Sequence, residues 1–258
     1  MPCRPAGGRA VTDDRFSLLP GERLDPLNDR GLSVIQQPGE YCFSMDAVLL
    51  SHFAALRKNE RAAELCAGSG VISLLMCARE PTLRADLLEL DPRAASRAAR
   101  SVSGNGLDGR IRVFEGSVQS PPAAMPRGQY HVAVCNPPYG LTPAAGPARE
   151  LPVTENGCSL QDAVAAAARL LRFSGRLYLC YPSQRLQGAL NLLARHRFAV
   201  KRLRPVYTRP DKPAYLFLIG ATLGGKEGLR FEPPLFVTGK DGAQTEELRR
   251  IYDENGPA

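Results

Sequence analysis

From Ala62 onward the chain alternates short apolar runs with stretches of helical periodicity, and no other feature restricts its fold as strongly. The segments 62–66, 84–89, 111–115, 130–135, 175–181, 197–207 and 214–221 read as strands. Between them, 70–79, 92–104, 159–172 and 183–195 read as helices. A repeated strand–helix–strand order is satisfied by parallel strands joined through crossover helices. The expectation is therefore an α/β fold with a mostly parallel seven-stranded sheet and helices on both faces. Upstream, 32–36 reads as a short strand, 37–40 as a turn, and Ser44-Met45-Asp46 as the opening of a helix over 47–55. Residues 1–20 lack periodicity and predict a flexible tail. The remainder, 21–258, is expected to be one domain with an N-terminal extension (21–60) and a core (61–222).

The 258 residues are 44% hydrophobic and 23% charged, which suits a soluble globular protein. No apolar stretch approaches the ~18 residues of a membrane span, and the N-terminus lacks the hydrophobic centre of a signal peptide. A cytoplasmic location without membrane contact is expected. Seven cysteines are scattered without a Cys-x-x-Cys pair and only three histidines accompany them, so they read as buried thiols rather than a metal site or a disulfide framework. The net charge of +7 favours an anionic partner. Arg195, Arg197, Lys201, Arg202, Arg204, Arg209 and Lys212, interleaved with Phe198 and Tyr207, form either an RNA-facing surface, the favoured reading, or a solvated basic face.

The chemistry concentrates where the apolar run Tyr130-His131-Val132-Ala133-Val134-Cys135 meets Asn136-Pro137-Pro138-Tyr139. The prolines stop the strand and leave a stiff loop at its carboxyl end, where open α/β sheets place their ligands. One side-chain amide, a proline-limited carbonyl and a flat ring suit a planar amino group on a conjugated system, although a proline-rich turn alone would look the same. Residues 140–158 follow as a long loop of the kind that covers or lines binding sites.

About 70 residues upstream, Ala62 to Leu75 reads as a strand, a turn containing Gly68 and Gly70, and a helix. The third glycine of a dinucleotide fingerprint is absent, and Glu64 precedes the turn, poorly placed for phosphate but able to attract a cationic sulfonium amino acid. The next strand ends at Glu89, where a carboxylate can accept from both hydroxyls of a ribose, and Asp91 reads as the cap of the helix begun by Pro92.

In this order the two acids, the turn and the Asn-Pro-Pro-Tyr loop resemble the Rossmann-like class I methyltransferases that use S-adenosylmethionine. The segments Leu24-Asp25 through Leu32, Phe43 to Leu50, Asn136 to Tyr139, Arg209 to Ala214 and Glu232 to Leu235 further resemble the bacterial family that methylates adenine N6 beside the anticodon of a valine tRNA. That resemblance implies a tRNA partner, S-adenosylmethionine as cofactor, no metal and a monomer. It implies that Glu64, Gly68 and Gly70 hold the methionine end, Glu89 the ribose, and Phe43 and Ser44 the opposite side of the cofactor. Asn136, Pro137 and Tyr139 would take the target adenine, with Asn136 also beside the cofactor. Three positions depart from the family's pattern: Cys66 replaces a glycine, Ser117 replaces an aspartate that binds the cofactor's adenine amine, and Pro152-Val153-Thr154-Glu155 replaces Ala-Arg-His-Glu. Competing readings are glutamine methylation of a release factor, methylation of another RNA or DNA adenine, and an RNA-binding scaffold without chemistry.

Overall fold

A computed structural model describes residues 13–28, 31–40, 42–138 and 158–254. In chain order the elements are β1 (Arg23–Pro26), β2 (Ser33–Gln36), α1 (Met45–Phe53), β3 (Arg61–Leu65), α2 (Val71–Arg79), β4 (Arg84–Glu89), α3 (Pro92–Gly104), β5 (Ile111–Glu115), β6 (Tyr130–Cys135), α4 (Leu160–Leu170), β7 (Leu171–Pro182), α5 (Leu186–Arg195), β8 (Phe198–Tyr207), β9 (Ala214–Leu223), β10 (Arg230–Phe231), β11 (Leu235–Phe236) and α6 (Glu246–Glu254). The main sheet runs β10-β8-β9-β7-β6-β3-β4-β5, with β11 also on β8, and only β9 is antiparallel to its neighbours. The expected seven strands are present. Two further strands, of two residues each, line the outer edge of β8, which would otherwise leave its backbone open to another chain. β1 and β2 form a separate hairpin.

Side chains alternate across the sheet. Val132 and Val134 enter a core with Val48, Leu74 and Leu87, whereas Ala133 and Cys135 enter a second core with Val164, Leu193 and Ile219. Both faces are thus buried, as the run of apolar strands requires. Asp86 is 2% exposed within this interior, and its carboxylate accepts from Arg61, Arg112 and the Tyr130 hydroxyl, joining four strands at the end of the sheet where they begin.

Local chemistry sets the helix starts. Asp91 accepts from the Arg93 amide at 2.9 Å while Pro92 fills the first helical position, so Asp91 caps α3 as its sequence context predicts. Ser159 and Asp162 form a reciprocal capping box that fixes the start of α4. That helix ends at Leu170, two residues early, because Leu171 already pairs with Tyr130 in the sheet. The N-terminal segment also packs: Phe16 is buried on Gly104, and the Ser17 carbonyl accepts from Arg100.

The basic stretch does not form one surface. Arg202 bonds Glu232 and the Phe53 carbonyl and lies 4.1 Å over the Phe53 ring, Arg204 bonds Glu247, and Arg209 bonds Asp211. Lys201 donates to the Lys226 carbonyl. Arg202 and Arg204 hold the C-terminal segment onto β8, which accounts for Glu232 in structural terms, and Leu235 is buried beside them. No helix among the described residues is long and apolar enough to cross a membrane.

Candidate active site

Register brings the site together. Leu65, the last residue of β3, pairs with Cys135 on one side and Leu88 on the other, so Cys66, Asn136 and Glu89 emerge side by side. β3 feeds a helix leading to β4 on one flank, while β6 lies on the other; such a switch in strand order opens a crevice at the carboxyl ends. A cleft of about 420 Å³ occupies this crevice, and Gly68, Glu89, Ser117, Asn136 and Pro138 line it. An inner recess of about 40 Å³ continues it between Phe43, Glu64, Gly68 and Asn136.

Glu89 is held by two backbone amides: Gly68 donates to one carboxylate oxygen at 2.7 Å and Asp91 to the other at 2.9 Å. Each oxygen retains a lone pair toward the cleft, which is the arrangement needed to accept from a diol. Glu64 is 1% exposed and accepts from the Ser73 amide at 2.8 Å, near the N-terminus of α2. Burial pushes its carboxyl up to about 7 against the opposing effect of hydrogen bonds from Ser73 and the Ile72 amide, and no cation pairs with it among the described residues. The Ser44 hydroxyl, at the start of α1, is buried without a hydrogen-bond partner among the described residues. A recess lined by an acid that no cation pairs among the described residues fits the cationic amino-acid end of S-adenosylmethionine.

The two glycines of the turn divide their roles. Both have positive φ, but a Cβ on Gly68 would meet nothing within 4 Å and would only fill the cleft. On Gly70 it would lie 2.6 Å from the Leu87 side chain, so Gly70 serves packing between α2 and β4 and does not line either cavity. Ser117 lines the cleft, and its hydroxyl accepts from the Gln119 amide at 3.2 Å.

Asn136 is half-buried, Pro137 buried and Pro138 exposed. The buried Cys180 thiol on β7 donates to Asn136 Oδ1 at 3.0 Å, which restrains the amide while the oxygen keeps a second lone pair. Tyr139 and the stretch Pro152 to Glu155 lie outside the described residues.

The structure overturns one expectation and adds several residues. Cys66 and Cys158 are joined as a disulfide across 92 residues, where thiols were expected, while Cys77, Cys135 and Cys180 are buried outside any disulfide. Only the folded sheet reveals this pairing, since it sets the turn after β3 beside the start of α4. Gln36 is 1% exposed and bridges the site: Nε2 donates to Ser69 Oγ at 2.6 Å, and Oε1 accepts from the Phe43 amide at 2.9 Å. Arg97 is buried beside the cleft and paired with Glu40. Arg97 reads in the sequence as an ordinary helix residue; for Gln36, a polar residue closing an apolar strand, the available signal was a buried amide that needs partners.

Comparison with known proteins bears on the family and the fold. Residues 33–200 match the family model described as the methyltransferase small domain. The chain is 30% identical to the tRNA1(Val) (adenine(37)-N6)-methyltransferase of Aeromonas hydrophila over 67% of its own length and 73% of that protein. A shorter likeness, 36% over 31% of this chain and 26% of the other, is to the ribosomal protein uL3 glutamine methyltransferase of Bordetella pertussis. Among solved structures, a predicted O-methyltransferase from Agrobacterium tumefaciens superposes with a TM-score of 0.69 at 24% identity, covering 83% of this chain and 98% of that one.

Proposed function

The chain belongs to the methyltransferase small domain family and, within it, to the bacterial tRNA1(Val) adenine-N6 methyltransferases, and on that premise we propose that it methylates N6 of an adenine in the anticodon loop of a tRNA. It is a methyltransferase, and S-adenosylmethionine, when bound, supplies an electrophilic methyl group on a sulfonium centre. Glu64 and Ser44 would hold the amino-acid end of this cofactor, Gly68 the approach along the turn, Glu89 the ribose and Ser117 the adenine end.

The observation that carries the reading is Asn136, presented on a proline-stiffened loop to the same cleft as Glu89 and the same recess as Glu64. An adenine amine is a poor nucleophile because its lone pair is delocalised into the ring. Asn136 Oδ1 and the Pro137 carbonyl can accept its two hydrogens, which favours a pyramidal nitrogen and frees the lone pair. Prior removal of a proton is unnecessary, and the methylated nitrogen can lose its proton to water. The base must leave its stack to reach the cleft, and a stacking ring at Tyr139 would offset that cost.

Incubation with labelled S-adenosylmethionine and unmodified tRNA, followed by nuclease digestion, tests this directly. N6-methyladenosine is the expected product. Label recovered instead in a glutamine side chain would favour the second reading, which the likeness to the uL3 enzyme supports. Replacing Glu89 provides a further check: Glu89→Ala is expected to weaken cofactor affinity about 10- to 100-fold by calorimetry, since it removes hydrogen bonds to a charged acceptor. Unchanged affinity would assign the ribose to another residue.

A further inference from the structure

At the end of the sheet opposite the active cleft, a second cavity of about 380 Å³ opens between the last turn of α4, the first residues of β7, the turn after α5 and the end of β9. Its most conspicuous member is Phe173, 74% exposed although it belongs to a strand. The ring packs against Gly224, where a Cβ would come within 2.5 Å of it, and three-quarters of the residue is left open to solvent. Arg195, His196 and Arg197 line the same cavity, and exposed Arg172 precedes the phenylalanine.

Three residues with left-handed backbone, Ser174, Arg197 and Gly224, shape this patch, two of them without the freedom of glycine. The Gly224 amide donates to the Arg197 carbonyl at 2.8 Å, which fixes the turn against the strand. The guanidinium groups of Arg172, Arg195 and Arg197 make no ion pair among the described residues, unlike those of Arg202, Arg204 and Arg209. From Cys158 to Val200 the chain carries six arginines against a single acid, Asp162, which is engaged in the capping box at the start of α4, so the segment is strongly cationic toward an approaching anion. An exposed aromatic ring among guanidiniums that make no ion pair with the described residues is the arrangement that stacks a nucleobase and neutralises the flanking phosphates.

We propose that Phe173, Arg195 and Arg197 form a second RNA-binding surface that stacks an unpaired base of the tRNA at a point remote from the methylated adenine. The proposal rests on the tRNA reading above. Strands of this length separate the two ends of the sheet by about 20 Å, a span that a folded tRNA exceeds and that a short single-stranded oligonucleotide seated in the cleft need not cover.

The test compares the wild-type chain with Phe173→Ala and with the double variant Arg195→Ala/Arg197→Ala, on full-length unmodified tRNA and on a heptanucleotide carrying the anticodon-loop adenine. For tRNA we expect KM to rise about tenfold in Phe173→Ala, and the salt dependence of binding to lose roughly two phosphate contacts in the double variant. With either substrate kcat should stay at the wild-type value, and KM for the heptanucleotide should not move. Wild-type KM for tRNA in both variants overturns the proposal, as does an equal rise on both substrates. A dimer that dissociates in Phe173→Ala, with tRNA binding unchanged, would assign the ring to protein contact instead. Filter retention of labelled tRNA reads the surface apart from turnover: a wild-type chain that binds tRNA through Phe173 without methylating it would sink the functional reading alone.

Discussion

Asn136→Ala is expected to lower kcat for methyl transfer about 10²- to 10³-fold while leaving the dissociation constant of S-adenosylmethionine near the wild-type value. The magnitude is that of deleting one preorganised polar group aimed at the reacting centre. The direction follows from where Asn136 stands. It leaves β6 beside the turn that follows β3, yet the carboxylates suited to hold the cofactor come from β3 and β4 and keep their backbone donors without it. Its Oδ1 bonds the Cys180 thiol, a weak donor, so the truncation strands no strongly polar partner in the interior. Calorimetry and single-turnover transfer measured on one preparation separate the two effects. A parallel loss of cofactor affinity would show that Asn136 builds the cofactor site instead of holding the amine.

How much of this site could be read from the sequence depended on the range of the interaction. Glu64, Glu89 and Asn136 were legible because each stands at or next to the carboxyl end of a strand, and strands of a parallel sheet deliver these ends to one edge. The difference between Gly68 and Gly70 was not, because both have positive φ and only the neighbouring Leu87 side chain distinguishes a packing glycine from a ligand-facing one. Cys66–Cys158 was invisible for a similar reason: it joins segments brought together by the fold, and sequence spacing carries no information about it, whereas for Gln36 the sequence offered only a polar residue closing an apolar strand and not its partners. The basic stretch misled more directly. Seven cations in one segment suggested a single face, but Arg202 and Arg204 are paired with carboxylates about 30 to 40 residues onward, Glu232 and Glu247. The short strands β10 and β11 carry too few residues for a periodic signal, and they exist because β8 needed its edge covered.

Glu64→Gln should move stability and cofactor binding in opposite directions. The wild-type carboxyl is raised from 4.5 to about 7, because burial penalises its charge. An acid raised in this way makes the folded chain hold a proton that the unfolded chain has already released. Between pH 4.5 and 7 the folded state therefore binds more protons, and stability falls as pH rises through that window. Below it both states are protonated and no penalty exists; above it the penalty is complete, on the order of 3 kcal/mol. The glutamine variant has no such titration. Without ligand, its melting temperature should match the wild type near pH 4.5 and exceed it above pH 7, and the difference between the two curves isolates this group from others that titrate nearby. Cofactor binding has the reverse sign. A cationic amino group prefers the ionised acid, so wild-type affinity should climb up to about pH 7 and then level, with a proton released on binding below that point. The variant should bind roughly 10- to 100-fold more weakly at pH 8, the loss of a hydrogen bond to a charged group, and with little pH dependence. Equal melting temperatures at pH 8 would mean that the carboxyl carries no desolvation cost, and equal affinities would mean that another group meets the cofactor's ammonium. On the proposed function, the stability that the buried carboxyl costs the ligand-free fold would be returned when a cation enters the recess.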